Sequence, residues 1–297
     1  MSPDSGYQTP RAFRAALTDR IRERAKGGHW TVQQLQRQFA YDRLLERLYL
    51  VDDGWIVKGA VALMARGLGV RGSLDIDVYR EVSKDVAVAD VQKAATLDVD
   101  WMSFELGSPE PINDGSGARL KVRAIIGGST WAEFSIDLVG ADLRMTGQPE
   151  DVPPLARGVM PDVKQRGYRA YPIVDHVADK VAAIFELHGP SRRSSSRYRD
   201  LIDLIAIATG ATIDAAPQRV ALQSEFERRG LAWPERFIVP DETSWRAGYE
   251  AEARQSLLMT ATTIDDALAI VVPFIDPLFD GSASGQWRDG AWAGPAA

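Results

Sequence analysis

The segment Ser73-Leu-Asp-Ile-Asp-Val-Tyr79 constrains this chain more than any other. Its strict alternation has the period of a β-strand, so Asp75 and Asp77 share one face while Leu74, Ile76 and Val78 take the other. The apolar set has to be packed, which anchors the strand in a sheet with a core on one side. Aspartate is unfavourable inside a strand. Two carboxylates roughly 6–7 Å apart at Cα on such a strand repel one another. A divalent cation resolves the repulsion, because Mg²⁺ takes oxygen ligands, typically one or two carboxylates plus substrate phosphates. The competing reading is a half-exposed strand with two solvated aspartates, and the pair alone does not decide between them.

A second segment repeats the design. In Thr130-Trp-Ala-Glu-Phe-Ser-Ile-Asp137-Leu-Val, Phe134, Ile136 and Leu138 fall on one face, and Glu133, Ser135 and Asp137 on the other. If the two strands are neighbours, Asp137 is a third carboxylate on the same surface. Three carboxylates suffice for two metal ions about 4 Å apart, the arrangement that activates an attacking hydroxyl and steadies a leaving phosphate. Otherwise Asp137 simply ends an edge strand near Gly140.

The rest of the chain supplies the frame. Residues 10–26 and 31–49 read as helices, the second capped by Thr31. Trp55-Ile-Val-Lys58 reads as a short strand, after which Gly59 turns into a small-residue helix, Ala60 to Arg66. A helix over 83–97 capped by Ser83 precedes a hairpin, 119–126 and 131–139, turning at Gly127-Gly128. Residues 147–171 are rich in Pro and Gly and read as a connector. Helical patterns then cover 174–187, 198–208, 215–229, 244–258 and 264–279, and the tail from Gly281 reads as disordered. Strands with intervening helices come first and helices last, so the fold class is α/β followed by a helical lobe.

Composition narrows the chemistry. The 297 residues include no cysteine, which excludes disulfides, thiol nucleophiles and thiolate metal sites. The three histidines, His29, His176 and His188, have no spacing that suggests a joint site. No apolar run approaches a membrane span and Met1 to Pro10 lacks the apolar stretch of a signal peptide, so a cytoplasmic protein without a membrane partner is expected. Net charge is −6, yet Arg11, Arg14, Arg20, Arg22, Arg24 and Lys26 make the first helix basic, and 188–199 has no acid until Asp200. Such runs are either solvated surface or, beside a nucleotide site, phosphate contacts.

Trp55-Ile-Val-Lys58-Gly59-Ala60-Val-Ala-Leu, followed by Arg71-Gly-Ser73-Leu-Asp75-Ile-Asp77-Val, resembles the first motif of the polymerase-β-like nucleotidyltransferase superfamily. Within it the chain looks most like the AbiEii-type toxins of bacterial toxin–antitoxin systems, which include mycobacterial nucleotidyltransferase toxins that modify tRNA. Asp179-Lys180-Val-Ala-Ala-Ile and Arg199-Asp200-Leu-Ile-Asp203-Leu resemble two later motifs of that family, in the same order. The resemblance covers about residues 55–208. It departs at Ala60, where the family usually has Gly or Ser, a change that implies a lost hydroxyl or an altered turn and weaker triphosphate binding.

The resemblance implies a nucleotidyltransferase core with a mixed sheet in residues 1–150, a helical lobe in 151–280 contributing Lys180 and Asp203, and a tail in 281–297. It implies transfer of NMP from an NTP to the 3′ end of tRNA, a block on translation, and a cognate antitoxin. Asp75, Asp77 and Asp137 would hold Mg²⁺. Lys58, Gly59, Arg71 and Ser73 would contact the triphosphate, with Gly59 letting backbone approach phosphate. Lys180 lies on an otherwise apolar helix and either snorkels or, as the family implies, meets the triphosphate or leaving group. Asp203 would orient Lys180 or serve as a base; an ordinary helix-surface pair with Arg199 is the plain alternative. Two other functions stay open: transfer to a small-molecule or protein hydroxyl, and a non-catalytic nucleotidyltransferase-like binding scaffold.

Overall fold

A computed structural model describes residues 6–69, 71–112, 115–139, 143–187, 195–257 and 260–294. The chain divides into two units. The first gathers the described residues of Met1–Arg66, Gly72–Leu143 and Glu150–Ala170; the second gathers those of Gly67–Arg71, Arg144–Pro149 and Tyr171–Ala297.

The first unit opens with α1 (Pro10–Lys26) and α2 (Val32–Val51). Thr31 closes a capping box with Gln34, satisfying two of the amides that a helix start leaves without partners. There follow β1 (Ile56–Val57), α3 (Gly59–Ala65), β2 (Asp75–Tyr79), α4 (Lys84–Ala95), β3 (Met102–Leu106), β4 (Glu110–Ile112), β5 (Gly117–Ile126), β6 (Ser129–Leu138), β7 (Glu150–Val152) and β8 (Tyr168–Ala170). Among the described residues they form an eight-stranded sheet in the order β3-β5-β6-β2-β1-β8-β7, with β4 also on β5. Pairing is mixed: β2 runs parallel to β6 and antiparallel to β1, and β1 runs parallel to β8. The β5–β6 hairpin turns at Gly127 and Gly128, whose φ values of 60° and 75° are those a two-residue turn of matching twist requires.

The core of this unit is the apolar face of the sheet under the helices. Ile76, Val78, Leu120 and Ile136 are wholly buried, with Phe13, Leu17 and Ile21 of α1 and Leu35, Phe39 and Leu45 of α2 in the same cluster. One expected member is absent. Leu74 is 66% exposed, because regular β2 pairing begins only at Asp75 and the side chain before it lies beyond the packed face. A charged knot is also buried here. Arg43 and Arg47, one turn apart on α2, both bond Asp100, with Arg43 Nε 2.5 Å and Arg47 Nη2 3.2 Å from its oxygens.

The second unit contains α5 (Ile173–Phe185), α6 (Tyr198–Gly210), β9 (Ile213–Asp214), α7 (Ala215–Arg228), α8 (Glu242–Ala253), α9 (Ile264–Asp280), β10 (Gln286–Arg288) and β11 (Ala291–Ala293). It is mainly helical, and β9, β10 and β11 make a small antiparallel sheet. Two expectations need correction. Residues 150–152 and 168–170 lie within the 147–171 connector, yet they pair as β7–β8 and extend the sheet of the first unit. The tail from Gly281, expected to be disordered, carries a hairpin at 286–293. Trp287 anchors it, only 2% exposed, its Nε1 donating to Ala208 O at 2.7 Å and its ring 4.9 Å from that of Phe274. Among the described residues no helix is long and apolar enough to cross a membrane.

Candidate active site

In the first unit the register of three adjacent strands assembles an acidic row. Asp77 on β2 lies directly across from Asp137 on β6, and Asp75 across from Ser135. Asp137 in turn lies across from Arg119 on β5. Because side chains alternate, Asp75, Asp77, Asp137 and Arg119 all stand on the face opposite Ile76, Val78, Leu120 and Ile136. Asp75 and Asp77 are half-buried and Asp137 is buried.

Each carboxylate has a defined local environment. Ser73 Oγ donates to Asp75 Oδ1, and Tyr41 OH donates to Ser73 O at 2.8 Å, tying the entry to β2 against α2. Lys58 N donates to Asp77 O at 2.8 Å, where the backbone leaves β1 for α3. The next residue, Gly59, has φ of 61°, and a Cβ there would overlap the Asp77 carboxylate. A glycine is therefore required twice over, for its backbone angle and for the space Asp77 occupies. The Lys58 side chain is buried, and so is Ala60, the position that departs from the family pattern.

Asp137 has both oxygens engaged. Arg119 Nε donates to Oδ1 at 2.7 Å and Nη2 to Oδ2 at 2.5 Å, a two-pronged clamp. The Arg119 guanidinium is held charged more firmly than usual. The hydrogen bond to Asp137 contributes most, burial opposes it, and the charges of Asp137, Asp75 and Asp77 add to it. Sequence reasoning missed Arg119. Its signal was present, since it begins the alternation Arg119, Lys121, Arg123 in a strand read as the hairpin partner of the Asp137 strand. Among the described residues no three His, Cys, Asp or Glu side chains are gathered as a ready-made metal site. The donor set nonetheless suits a hard cation: the row is all carboxylate oxygen, and it already draws in a guanidinium.

The other candidate residues form a buried knot in the second unit. Lys180 does not snorkel. It is 6% exposed, and its Nζ lies 3.0 Å from Asp200 Oδ1 and 2.7 Å from Asp203 Oδ2. Arg71 reaches the same Asp203, Nε to Oδ1 at 2.9 Å and Nη2 to Oδ2 at 2.8 Å. Asp203 thus sits between two cations. Burial pushes its pKa up, but Lys180 and Arg71 outweigh this and hold it down to about 2, from 3.8. Burial likewise opposes the charge on Lys180, and Asp200 and Asp203 restore it, leaving its pKa raised. Asp203 is therefore a fixed anion that locates Lys180. Arg71, expected on a triphosphate, has this fork on Asp203.

The basic segments divide. On α1, Arg14 clasps the carbonyls of Ile126, Ser129 and Thr130, Arg24 that of Arg157, and Arg20 the Tyr7 hydroxyl. Half of the six cations of that helix therefore fasten the first unit together. Residues 188–194, most of the second basic run, lie outside the described residues. Beyond them, exposed Arg199 pairs with Glu252 at 3.0 Å.

Comparison with known proteins places these observations. Curated protein sequences yield no match. Among solved structures, MenT4, a nucleotidyltransferase toxin from Mycobacterium tuberculosis, is similar in fold, with a TM-score of 0.53 at 19% identity over 78% of this chain and 86% of that one. JHP933 from Helicobacter pylori aligns with a TM-score of 0.47 at 16% identity, over 83% of this chain and 94% of its own. The family model described as nucleotidyl transferase AbiEii toxin, type IV TA system, matches residues 43–270, a span that holds every candidate residue from Lys58 to Asp203. The chain belongs to the AbiEii family, the nucleotidyl transferase toxins of type IV toxin–antitoxin systems.

Proposed function

We propose that this toxin uses Mg²⁺ held by Asp75 and Asp77, with Asp137, to transfer NMP from an NTP to the 3′ end of tRNA in the cytoplasm, and so blocks translation. The observation that supports it most is the placement of Asp75 and Asp77 two positions apart on one face of β2, with Asp77 directly across from Asp137, on a strand paired along both edges. Bound Mg²⁺ supplies a lowered pKa for the acceptor hydroxyl and neutralises phosphate charge. The chain's own residues do the positioning, which is most of catalysis in phosphoryl transfer. Ser73 orients Asp75. Gly59 keeps the start of α3 clear of a side chain next to Asp77. Lys58 and Ser73 contribute charge and hydroxyl to the triphosphate. Lys180, carried over from the family pattern, neutralises the triphosphate or the departing pyrophosphate, and Asp203 with Arg71 keeps its ammonium fixed. Membership of the family implies an NTP substrate and an antitoxin partner.

The test is incubation of the purified protein with total tRNA, Mg²⁺ and each labelled NTP in turn, beside Asp75→Ala and Asp77→Ala. Label on tRNA that disappears in both variants, with their melting temperatures near wild type, is the expected result. Undiminished labelling by either variant would refute the metal assignment. No label with any NTP would remove tRNA as acceptor and direct the search to a small-molecule or protein hydroxyl.

A further inference from the structure

Arg119 and Asp137 form an unequal pair. Asp137 stands in the interior of the sheet, flanked by β2 and β5, and its side chain is 9% exposed; that of Arg119 is 40% exposed. The carboxylate is thus fixed by the strand, while the guanidinium hangs on a long, half-solvated stem that has room to turn outward. Both oxygens of Asp137 are taken by Arg119, and the carboxylate directly across the other edge of β6 is Asp77. A cation therefore already occupies the end of the row where the third metal ligand is needed. The fork takes one lone pair on each oxygen and sets a positive charge against both, so a divalent ion drawn close to Asp137 competes with the guanidinium for the same negative charge.

We propose that Arg119 is the resident counter-cation of the acidic row and that a divalent ion engages Asp137 only by displacing it. This rests on the metal reading given above. Arg119 keeps three neighbouring carboxylates compensated while no metal is bound, which preserves the strand register. It also sets the metal concentration at which the site fills, because each metal ion bound through Asp137 costs a two-pronged charge-assisted interaction. Arg119 is a positioning residue for Asp137, and its replacement acts on metal affinity before any nucleotide is present.

The measurement is Mn²⁺ binding to the full-length protein without nucleotide, followed by electron paramagnetic resonance of the free ion. Wild type is compared with Arg119→Gln, Arg119→Lys, Arg123→Gln and Asp75→Asn. Arg119→Gln is expected to bind Mn²⁺ about tenfold more tightly or better. Arg119→Lys keeps the charge but loses the fork, so tighter binding than wild type by this variant identifies direct competition. It also decides the matter if the Gln variant fails to fold. Arg123→Gln removes the same charge four residues along β5, where Arg123 pairs with Glu105 instead, and is expected to bind as wild type does. If Arg123→Gln tightens binding as much as Arg119→Gln, or if neither Arg119 variant tightens it, the displacement proposal is overturned. Loss of binding in Asp75→Asn would in that case leave the metal reading standing. Absence of bound Mn²⁺ in wild type and in every Arg119 variant overturns the metal reading and the proposal together.

Discussion

Replacing Asp203 by Asn tests whether the knot around Lys180 is held by charge or merely by packing. Asn keeps the volume of Asp but carries no charge, and it presents an NH₂ donor where the carboxylate accepted. Lys180 Nζ, Arg71 Nε and Arg71 Nη2 all donate to Asp203 within 2.9 Å, so one of them is left facing a donor. The pKa of Asp203 falls from 3.8 to about 2 on folding. At 1.36 kcal/mol per unit, ionised Asp203 contributes about 2 kcal/mol at neutral pH. Breaking a buried pair by removing one partner costs about 3–5 kcal/mol, which sets the upper bound. The pH dependence has a definite sign. A carboxylate whose pKa is depressed in the folded state contributes fully above its unfolded value of 3.8 and loses that contribution as pH falls through about 2. About half remains at pH 3. The assay is thermal or urea unfolding of both proteins at pH 7 and pH 3, with hydrogen exchange on α5 and α6 to locate the loss. The variant is expected to be less stable by about 2–5 kcal/mol at pH 7, with a gap that narrows at pH 3. A difference below about 0.5 kcal/mol at pH 7, the usual range for surface changes, or a gap unchanged with pH, would refute this account.

Two further substitutions probe the frame of the site. Gly59→Ala forces an alanine into a left-handed backbone, costing roughly 1–2 kcal/mol, and drives its Cβ into the Asp77 carboxylate. Both a lowered melting temperature and loss of Mn²⁺ binding are expected, and normal binding would mean that Asp77 has another place to go. Trp287→Ala removes the anchor of the C-terminal hairpin and should cost about 3–5 kcal/mol in urea unfolding. A loss under about 1 kcal/mol would mean that the hairpin is only loosely attached.

What the sequence disclosed follows from the range of the interactions involved. The Asp75 strand, the Asp137 strand and the Gly127-Gly128 turn were legible because each is written in a few consecutive residues with a period of two. The α-helices of the second unit were legible for the same reason at a period near 3.6. The Arg119 clamp was not, because it exists only through the β5–β6 register, and a strand pattern says which residues share a face but not which stand opposite. Nothing in the local sequence marks Arg43 and Arg47 as buried, because their shared partner Asp100 lies 57 and 53 residues away. The fork from Arg71 to Asp203 was equally hidden, because the two residues lie 132 positions apart. The tail was misread despite a local signal. Asp289 and Gly290, with φ of 51° and 79°, are the two-residue Asp-Gly turn that favours a hairpin, flanked by Trp287 and Trp292.

The distance between Arg71 and Asp203 along the chain also has a consequence in time. Gly67–Arg71 belongs to the second unit although it is synthesised between two segments of the first. At about 5–20 residues per second, the 132 residues that separate Arg71 from Asp203 take roughly 7–26 seconds to emerge. For most of that interval the β2 carboxylates already exist in the growing chain, but Asp203 is not yet there to bond Arg71 or Lys180. A polypeptide severed after residue 170, or one whose synthesis stalls before residue 203, carries the acidic strand without the cation cluster of the second unit. An independently produced 171–297 fragment has the reverse deficit, two aspartates around one lysine with the arginine missing. The order of synthesis thus postpones the finished knot until residue 203 has left the ribosome.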